Sequence, residues 1–241
     1  MTSEKIKKEI LKKAYNFFLN LFKDKAKSYE KKKYNDFKIN PFTIQAAAQV
    51  FDKKVTSDTL SKAIVYPFTL GTSLSTSFGT KFQKFICTEI SDQISGSTVA
   101  GMDIEYIDAV DHRKKYCQIK SGPTTINKDD IKTIEDSFKK LRNLARTNNI
   151  AIQTNDVVVA VLYGSKSDLS TMYKNIENDG YQVLVSDEFW YHLTGLRGLY
   201  HDLIIEAQKA AIESNMQKSV NVLLKNMSNS IKNDTAFFDK N

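Results

Sequence analysis

The residues best suited to chemistry lie in two short segments, MDIEYID and YCQIKS. Side chains alternate between the two faces of an extended segment, so Asp103 and Glu105 share a face, as do Gln118 and Lys120. The polar connection DAVDHRKK suits a hairpin that sets the two segments side by side. Two carboxylates, an amide and an ammonium are therefore expected to converge on one face of a β-sheet.

These groups have the chemistry that phosphodiester hydrolysis requires. Carboxylate and amide oxygens bind Mg²⁺, which polarises a phosphate and lowers the pKa of a water, while an ammonium stabilises the attacking hydroxide or the pentavalent phosphorus. Asp103 is expected to carry most of the metal binding, because the neutral Gln118 is a weaker ligand, and Lys120 assists the nucleophile. Glu105, or Glu89 from the preceding helix, supplies a second carboxylate in this interpretation.

Each of these residues also has a purely structural explanation. Lys120 fits a surface lysine at a strand end, with its stem lying along apolar surface. Asp103 and Glu105 fit outward-facing strand residues, and Glu89 fits a solvated helix residue. The combination and the order of these groups favour a functional site over four separate surface residues.

GMDIEYID followed by YCQIKSGPTTIN resembles the bipartite active-site motif of the PD-(D/E)XK nuclease superfamily, in the variant with Gln at the second acidic position. Together with NPF, FGTKFQKFICTEI, VVAVLYG and DEFWYHL, it is similar to a group of type II restriction endonucleases that cut interrupted GGNCC-like palindromes, over about residues 40–195. Met102 stands where the motif has proline. Gln118 replaces the usual acid, which leaves the number of metal ions open.

The resemblance implies roles for particular residues and a set of partners. It assigns the core catalytic positions to Asp103, Gln118 and Lys120, and it matches Glu89 to an acidic residue on the helix before the motif. Mg²⁺ is the expected cofactor, held by Asp103, Gln118 and Glu89. Double-stranded DNA is the expected substrate, and a cognate DNA methyltransferase is the expected companion enzyme.

Polar residues near the motif are candidates for DNA contacts. These are Ser121, Thr124, Thr125, Asn127, Thr72, Ser73 and Lys81. Asn127 also fits the N-cap of the next helix. The segment TLGTSLSTSFGT, which contains Thr72 and Ser73, is predicted to be a loop because it is rich in Gly, Ser and Thr, and a plain surface linker fits it as well.

The elements that position these residues are predicted to form three parts. Residues 1–66 are expected to be helical, residues 67–195 to form the catalytic core, and residues 196–241 to form helices that pack on the core or make a dimer interface. The core alternates four extended segments (95–108, 115–121, 156–164, 181–186) with helices over about 80–94, 128–148 and 168–178. This pattern predicts an α/β fold with a central mixed β-sheet flanked by helices, with helical N- and C-terminal extensions. The resemblance makes that sheet restriction-endonuclease-like.

The composition sets broad limits. The 241 residues are 41% hydrophobic, enough for a buried core, and the two cysteines lack the spacing of a zinc site. Without a signal-like or membrane-spanning segment, a soluble, cytoplasmic protein with no membrane partner is expected. The net charge of +7 suits a polyanionic partner, although Lys- and Asn-rich codon usage of an AT-rich genome also produces it.

A symmetric cut in duplex DNA requires two active sites related by a two-fold axis, so a homodimer that recognises a palindrome is expected. Two other functions remain open. One is a structure-selective repair nuclease or junction resolvase on the same fold. The other is a DNA-binding module without catalysis.

Overall fold

The computed structural model describes residues 2–232 and Asp234. Within them, one five-stranded sheet has its strands in chain order: β1 (Ile94–Gly96), β2 (Ile104–Ile107), β3 (Lys114–Lys120), β4 (Val157–Val161) and β5 (Gln182–Val185). The β1–β2 and β2–β3 pairs are antiparallel, whereas the β3–β4 and β4–β5 pairs are parallel. The predicted α/β fold with a mixed sheet and flanking helices is confirmed.

The described part of the chain also contains α-helices, numbered here in chain order. They are α1 (Ser3–Glu30), α2 (Pro41–Ala48), α3 (Ser57–Tyr66), α4 (Leu74–Phe85), α5 (Lys128–Thr147), α6 (Thr171–Asn178), α7 (Asp187–Thr194), α8 (Leu199–Glu213) and α9 (Met216–Ile231). Three of them begin at capping side chains, Asn40, Thr56 and Asn127, of which Asn127 was predicted as a cap. Across the described residues, no helix combines the length and apolarity needed to cross a bilayer.

The chain divides into two compact units. Unit 1 contains Met1–Ala14 and Gly79–Ile205, and unit 2 contains Tyr15–Phe78 and Glu206–Asn241. Helices α1, α4 and α8 contribute residues to both units. Each unit therefore combines sequence from two separate parts of the chain.

One buried cluster of unit 1 lies between the sheet and the helices α5 and α6. All five residues of β4 are buried, as is typical of a strand covered on both faces by other elements. Val159 and Val161 join a buried cluster with Phe138 of α5 and Tyr173 of α6. This packing fixes β3 between β2 and β4, and β3 carries two of the predicted catalytic residues.

Unit 2 has a separate helical core. Tyr29, Leu60 and Ile64 are buried with Leu223 and Met227 in one apolar cluster. The hydroxyl of Tyr29 donates a hydrogen bond to the Thr69 carbonyl over 2.7 Å, so this buried phenol is not left without a partner. Helices from both terminal regions of the sequence therefore complete this core together.

The predicted loop over residues 69–80 is wrong, because this segment is helical. A π-helical segment, Pro67–Ser73, continues directly from α3 and leads into α4. The Thr69 hydroxyl donates to the Val65 carbonyl over 2.8 Å, which gives a helix carbonyl near Pro67 a partner. Open space surrounds the Cβ position that Gly71 lacks, so no close approach requires glycine there.

The first predicted strand segment, residues 95–108, is divided in two. A loop that contains Gly101 separates β1 from β2. Gly101 has a φ of +87°, and a Cβ atom there would lie 2.3 Å from the Ser137 hydroxyl oxygen of α5. The position therefore needs glycine both for its backbone angle and for its close approach to α5.

Candidate active site

Asp103 lies immediately before β2 and its carboxylate is held against β3. Ile104, the first residue of β2, pairs with Cys117, and the N–H of Asp103 donates a hydrogen bond of 2.9 Å to the Cys117 carbonyl. Its Oδ2 accepts a hydrogen bond of 2.6 Å from the backbone N–H of Ile119, the residue between Gln118 and Lys120. The carboxylate therefore meets β3 at the middle of the predicted QxK segment.

Gln118 is buried, with 6% of its surface exposed, and its amide has a fixed orientation. Its Nε2 donates a hydrogen bond to the carbonyl of Gly101, in the loop that leads to Asp103. Within the described residues Oε1 has no hydrogen-bond partner. Since the NH₂ end is committed to Gly101, the amide oxygen is the end of this side chain that remains for a ligand.

Lys120 ends β3 on the same strand face as Gln118, two residues away. Its side chain is half-buried, and no hydrogen bond or ion pair involves the ammonium within residues 2–232. Its backbone carbonyl accepts a hydrogen bond of 3.0 Å from the N–H of Leu162, just after β4. The parallel pairing with β4 thus fixes the backbone of Lys120, whereas its charged end has three donors to offer to a ligand.

Glu105 lies on the same face but is engaged by protein groups. Its carboxylate forms an ion pair of 2.6 Å with Lys114 and accepts hydrogen bonds from the Ser97 hydroxyl at 2.7 Å and the Thr98 N–H at 3.2 Å. Burial raises the pKa of Glu105, but the hydrogen bonds from Lys114 and Ser97 outweigh it and leave the pKa below its ordinary value. These contacts join β2 to β3 and to the loop after β1.

Gln83 makes a hydrogen bond to Asp103, whereas the predicted Glu89 has no hydrogen bond to it among the described residues. Glu89 is exposed, its backbone carbonyl accepts a hydrogen bond of 3.0 Å from the Lys13 ammonium, and its carboxylate has no partner within the described residues. The α4 side chain that reaches Asp103 is Gln83, whose Nε2 donates to Oδ1 over 3.1 Å. Gln83 was not predicted, because an acid was expected on this helix and the contact is made by an amide.

The predicted DNA-contact residues after β3 belong to a tightly held loop. The Gly122 carbonyl accepts hydrogen bonds from the Thr125 hydroxyl at 2.8 Å and from the buried Tyr173 hydroxyl at 2.9 Å. Burial raises the pKa of Tyr173 to about 12, so this phenol stays a donor at neutral pH. Ser121 is half-buried and Thr124 is exposed in the same loop.

The remaining predicted contacts have the following surroundings. Asn127 is exposed, and its Oδ1 accepts from the N–H groups of Asp129 and Asp130 at 2.8 and 2.9 Å, so it is the cap of α5. In unit 2, Thr72 is exposed and the Ser73 hydroxyl accepts a hydrogen bond of 3.0 Å from Lys25. Lys81 is exposed on α4 in unit 1.

A family comparison decides the class of this protein. The model of the family described as type II restriction endonuclease EcoO109I matches residues 8–215, which is most of the 241-residue chain. The chain belongs to the EcoO109I family of type II restriction endonucleases. A comparison with curated proteins finds no match. Family membership makes the chain a nuclease of a restriction system and therefore a hydrolase.

The residues of this family member that meet at β3 suit a hard divalent cation. Asp103 offers a carboxylate and Gln118 an amide oxygen, both oxygen ligands of the kind that Mg²⁺ takes. No group of three or more His, Cys, Asp or Glu able to hold a metal occurs among the described residues. Mg²⁺ is usually bound through one or two carboxylates, with water and substrate phosphate completing the shell.

Proposed function

We propose that this protein is a homodimeric, Mg²⁺-dependent endonuclease that hydrolyses one phosphodiester per subunit within a short palindrome of double-stranded DNA. The proposal includes a PD-(D/E)XK active site of the QxK variant, with Asp103, Gln118 and Lys120 at its core. The contact that carries it is the hydrogen bond from the Ile119 N–H to the Asp103 carboxylate, since Ile119 separates the other two residues.

Each residue has a distinct role in this proposal. Asp103 supplies the carboxylate that binds the metal, and Gln118, anchored through its NH₂ group to Gly101, supplies a neutral oxygen. The Lys120 ammonium donates hydrogen bonds to the attacking water or to the phosphate oxygens as negative charge develops. A bound Mg²⁺ supplies Lewis-acid polarisation of the phosphate and lowers the pKa of a water.

The family and the symmetry of the substrate support the wider proposal. Two strands of a palindrome are equivalent under a two-fold axis, and a homodimer presents two equivalent active sites to them. A nuclease of this kind works beside a DNA methyltransferase that modifies the same site in the same cytoplasm. Ser121, Thr124, Thr125, Asn127, Thr72, Ser73 and Lys81 are the proposed DNA-contact residues, and Asn127 also caps α5 at the end of the loop that holds Ser121, Thr124 and Thr125.

The role of Lys120 predicts separate effects on binding and on cutting. Lys120→Ala is expected to lower the single-turnover cleavage rate by about 10²–10⁴-fold, because a positioned acid–base or charge-stabilising group contributes on that order. Specific DNA binding is expected to persist in a gel-shift assay. Cleavage at a rate near that of the unmodified protein would refute the assignment.

The role of Asp103 predicts a loss of metal-dependent cutting. Asp103→Asn keeps the shape of the side chain but removes the charge that holds the cation, so cleavage at millimolar Mg²⁺ is expected to disappear. Glu105→Gln and Glu89→Gln measured alongside test whether either acid supplies a second carboxylate. If Asp103→Asn still cuts with Mg²⁺, the metal site lies elsewhere.

Digestion of a sequenced plasmid distinguishes the restriction function from the alternatives. Discrete, reproducible fragments whose mapped ends share one palindrome are expected from linear duplex DNA. Cutting only at branched or damaged DNA would indicate a structure-selective nuclease. Mg²⁺-independent binding without any cutting would indicate a DNA-binding module.

A further inference from the structure

We infer that Gln83 is a positioning residue of this site, which holds the Asp103 carboxylate in the orientation that receives the divalent ion. This inference rests on the proposed function and assigns a role to a residue on α4 outside the QxK motif. Gln83 would act on a bound metal only by orienting Asp103, and no contact with DNA is assigned to it.

The two oxygens of Asp103 are held from two different elements. Oδ1 accepts from Gln83 Nε2 of α4 at 3.1 Å, and Oδ2 accepts from the Ile119 N–H of β3 at 2.6 Å. The terminal torsion of an aspartate is broad by itself, so one hydrogen bond leaves the carboxylate plane free to rotate. Two donors on opposite oxygens fix that plane, and each oxygen keeps a second lone pair for a cation.

The helix that carries Gln83 is itself anchored. Phe82 and Phe85 of α4 are buried, each with 3% of its surface exposed, and the Phe82 ring contacts Trp190 with a centroid distance of 5.8 Å. Gln83 therefore projects from a fixed backbone, as a side chain must if it is to orient a metal ligand. Groups that hydrogen-bond to metal ligands typically affect metal affinity or activity by about 10- to 100-fold.

The chemistry of an amide suits this position better than that of an acid. The NH₂ group of Gln83 donates to the carboxylate and adds no negative charge beside it. A carboxylate at this position would offer an acceptor to an acceptor and would repel Asp103 until a cation lay between them. The Gln83 amide therefore orients Asp103 before any metal arrives.

Gln83→Leu tests the donor while keeping a side chain of similar size. The Mg²⁺ concentration for half-maximal cleavage is expected to rise by about 10- to 100-fold, while the rate at saturating Mg²⁺ falls much less. Gln208→Leu, at an exposed glutamine of α8, is the matched control and is expected to leave the Mg²⁺ midpoint unchanged. An unchanged midpoint in Gln83→Leu would overturn the inference.

Gln83→Glu supplies a readout that does not depend on cutting. Repulsion between two adjacent carboxylates is expected to lower the Tm without metal, and added Mn²⁺ is expected to raise the Tm more than it does for the Gln83→Leu variant. In an Asp103→Asn background this difference between the two variants should vanish. Persistence of the difference without Asp103 would show that Gln83 acts through another group.

The two proposals fail in different ways. If Asp103→Asn abolishes cutting while Gln83→Leu keeps the Mg²⁺ concentration for half-maximal cleavage of the unmodified protein, only the role of Gln83 is refuted. If Asp103→Asn continues to cut, the proposed active site itself falls.

Discussion

The pKa of the Cys87 thiol depends on the negative charge of Asp103 in the candidate site. Cys87 lies four residues after Gln83 and is half-buried, whereas Cys117 is fully buried. Burial raises the pKa of the Cys87 thiol, and the negative charge of Asp103 raises it further. Since the thiolate is the reactive form, this thiol is expected to alkylate slowly at neutral pH.

Removal of the Asp103 charge is expected to increase the reactivity of Cys87. In Asp103→Asn the pKa of the thiol falls, so more thiolate is present at pH 8 and alkylation by iodoacetamide is faster. Peptide mass spectrometry during a time course measures the rate at Cys87 itself. Glu89→Gln, which removes a carboxylate closer in sequence, is the control and should label at the original rate; equal rates in all three proteins would contradict this account.

Some residues of the candidate site were predictable from residue type and spacing, and others were not. Asp103, Gln118 and Lys120 were predicted from side-chain alternation and a hairpin; the antiparallel β2–β3 pairing that this hairpin requires is present, whereas the catalytic roles of the three residues stay predictions. The contact of Gln83 was not predictable, because no local pattern tells which α4 residue faces the end of β2. The ion pair of Glu105 with Lys114 likewise depends on the exact β2–β3 register.

At the scale of elements, prediction succeeded where one periodic pattern dominated. The run VVVAV predicted the buried strand β4, and the apolar spacing after Asn127 predicted α5. Prediction failed at Pro67–Ser73, where composition suggested a loop. Tertiary packing of the segment, with Phe68 in ring contact with Tyr29 and Phe37, outweighs the low helix propensity of its Gly, Ser and Thr residues.

The start of β3 is joined to the start of β4 by buried charges. Lys115 is fully buried and lies 2.5 Å from an Asp111 oxygen and 3.4 Å from an Asp156 oxygen. Asp156 also forms a two-point ion pair with Arg113. Burial raises the pKa of Asp156, but the hydrogen bonds from Arg113 and the Gln153 N–H outweigh it and leave the pKa below its ordinary value.

Asp156→Ala is expected to reduce the free energy of unfolding by about 3–5 kcal/mol at pH 7, because it leaves the buried Lys115 without one of its two carboxylates. A lowered folded-state pKa contributes stability that is complete above the unfolded pKa and is lost as the pH falls through the folded value. The difference between the two proteins should therefore shrink below about pH 4. Urea unfolding at several pH values measures the difference in free energy of unfolding between the two proteins. A difference that stays constant down to pH 3 would contradict the role of the ionised Asp156.

At the scale of the whole molecule, the net charge is unevenly distributed. The sequence of unit 2 has 15 lysines and 9 acidic residues, for a net charge of +6, whereas unit 1 has 20 basic and 19 acidic residues. Lys31, Lys32 and Lys33 line one groove of unit 2 with Tyr34 and Asn226. The helical unit thus carries nearly all of the excess positive charge available for a polyanion.

Removal of three of these charges is expected to weaken the salt dependence of DNA binding. Each phosphate neutralised contributes about −0.9 to the slope of log K against log salt, so Lys31→Gln, Lys32→Gln and Lys33→Gln together should reduce the slope by up to about 2 to 3. The same change at Lys5, Lys8 and Lys12, on the unit 1 part of α1, is the control. Equal slopes for both triple variants would show that DNA does not reach the groove of unit 2.

The packing of α3 against α9 has a consequence for how the protein is made. Residues near position 60 are translated early, but the helix that covers them is residues 216–231. Until the ribosome has released that late helix, the apolar side of α3 stays open to chaperones and proteases, whereas the strands of unit 1 are already complete. A nascent chain that stalls before Met216 therefore lacks the four buried residues that α9 adds to this core, Val220, Leu223, Met227 and Ile231.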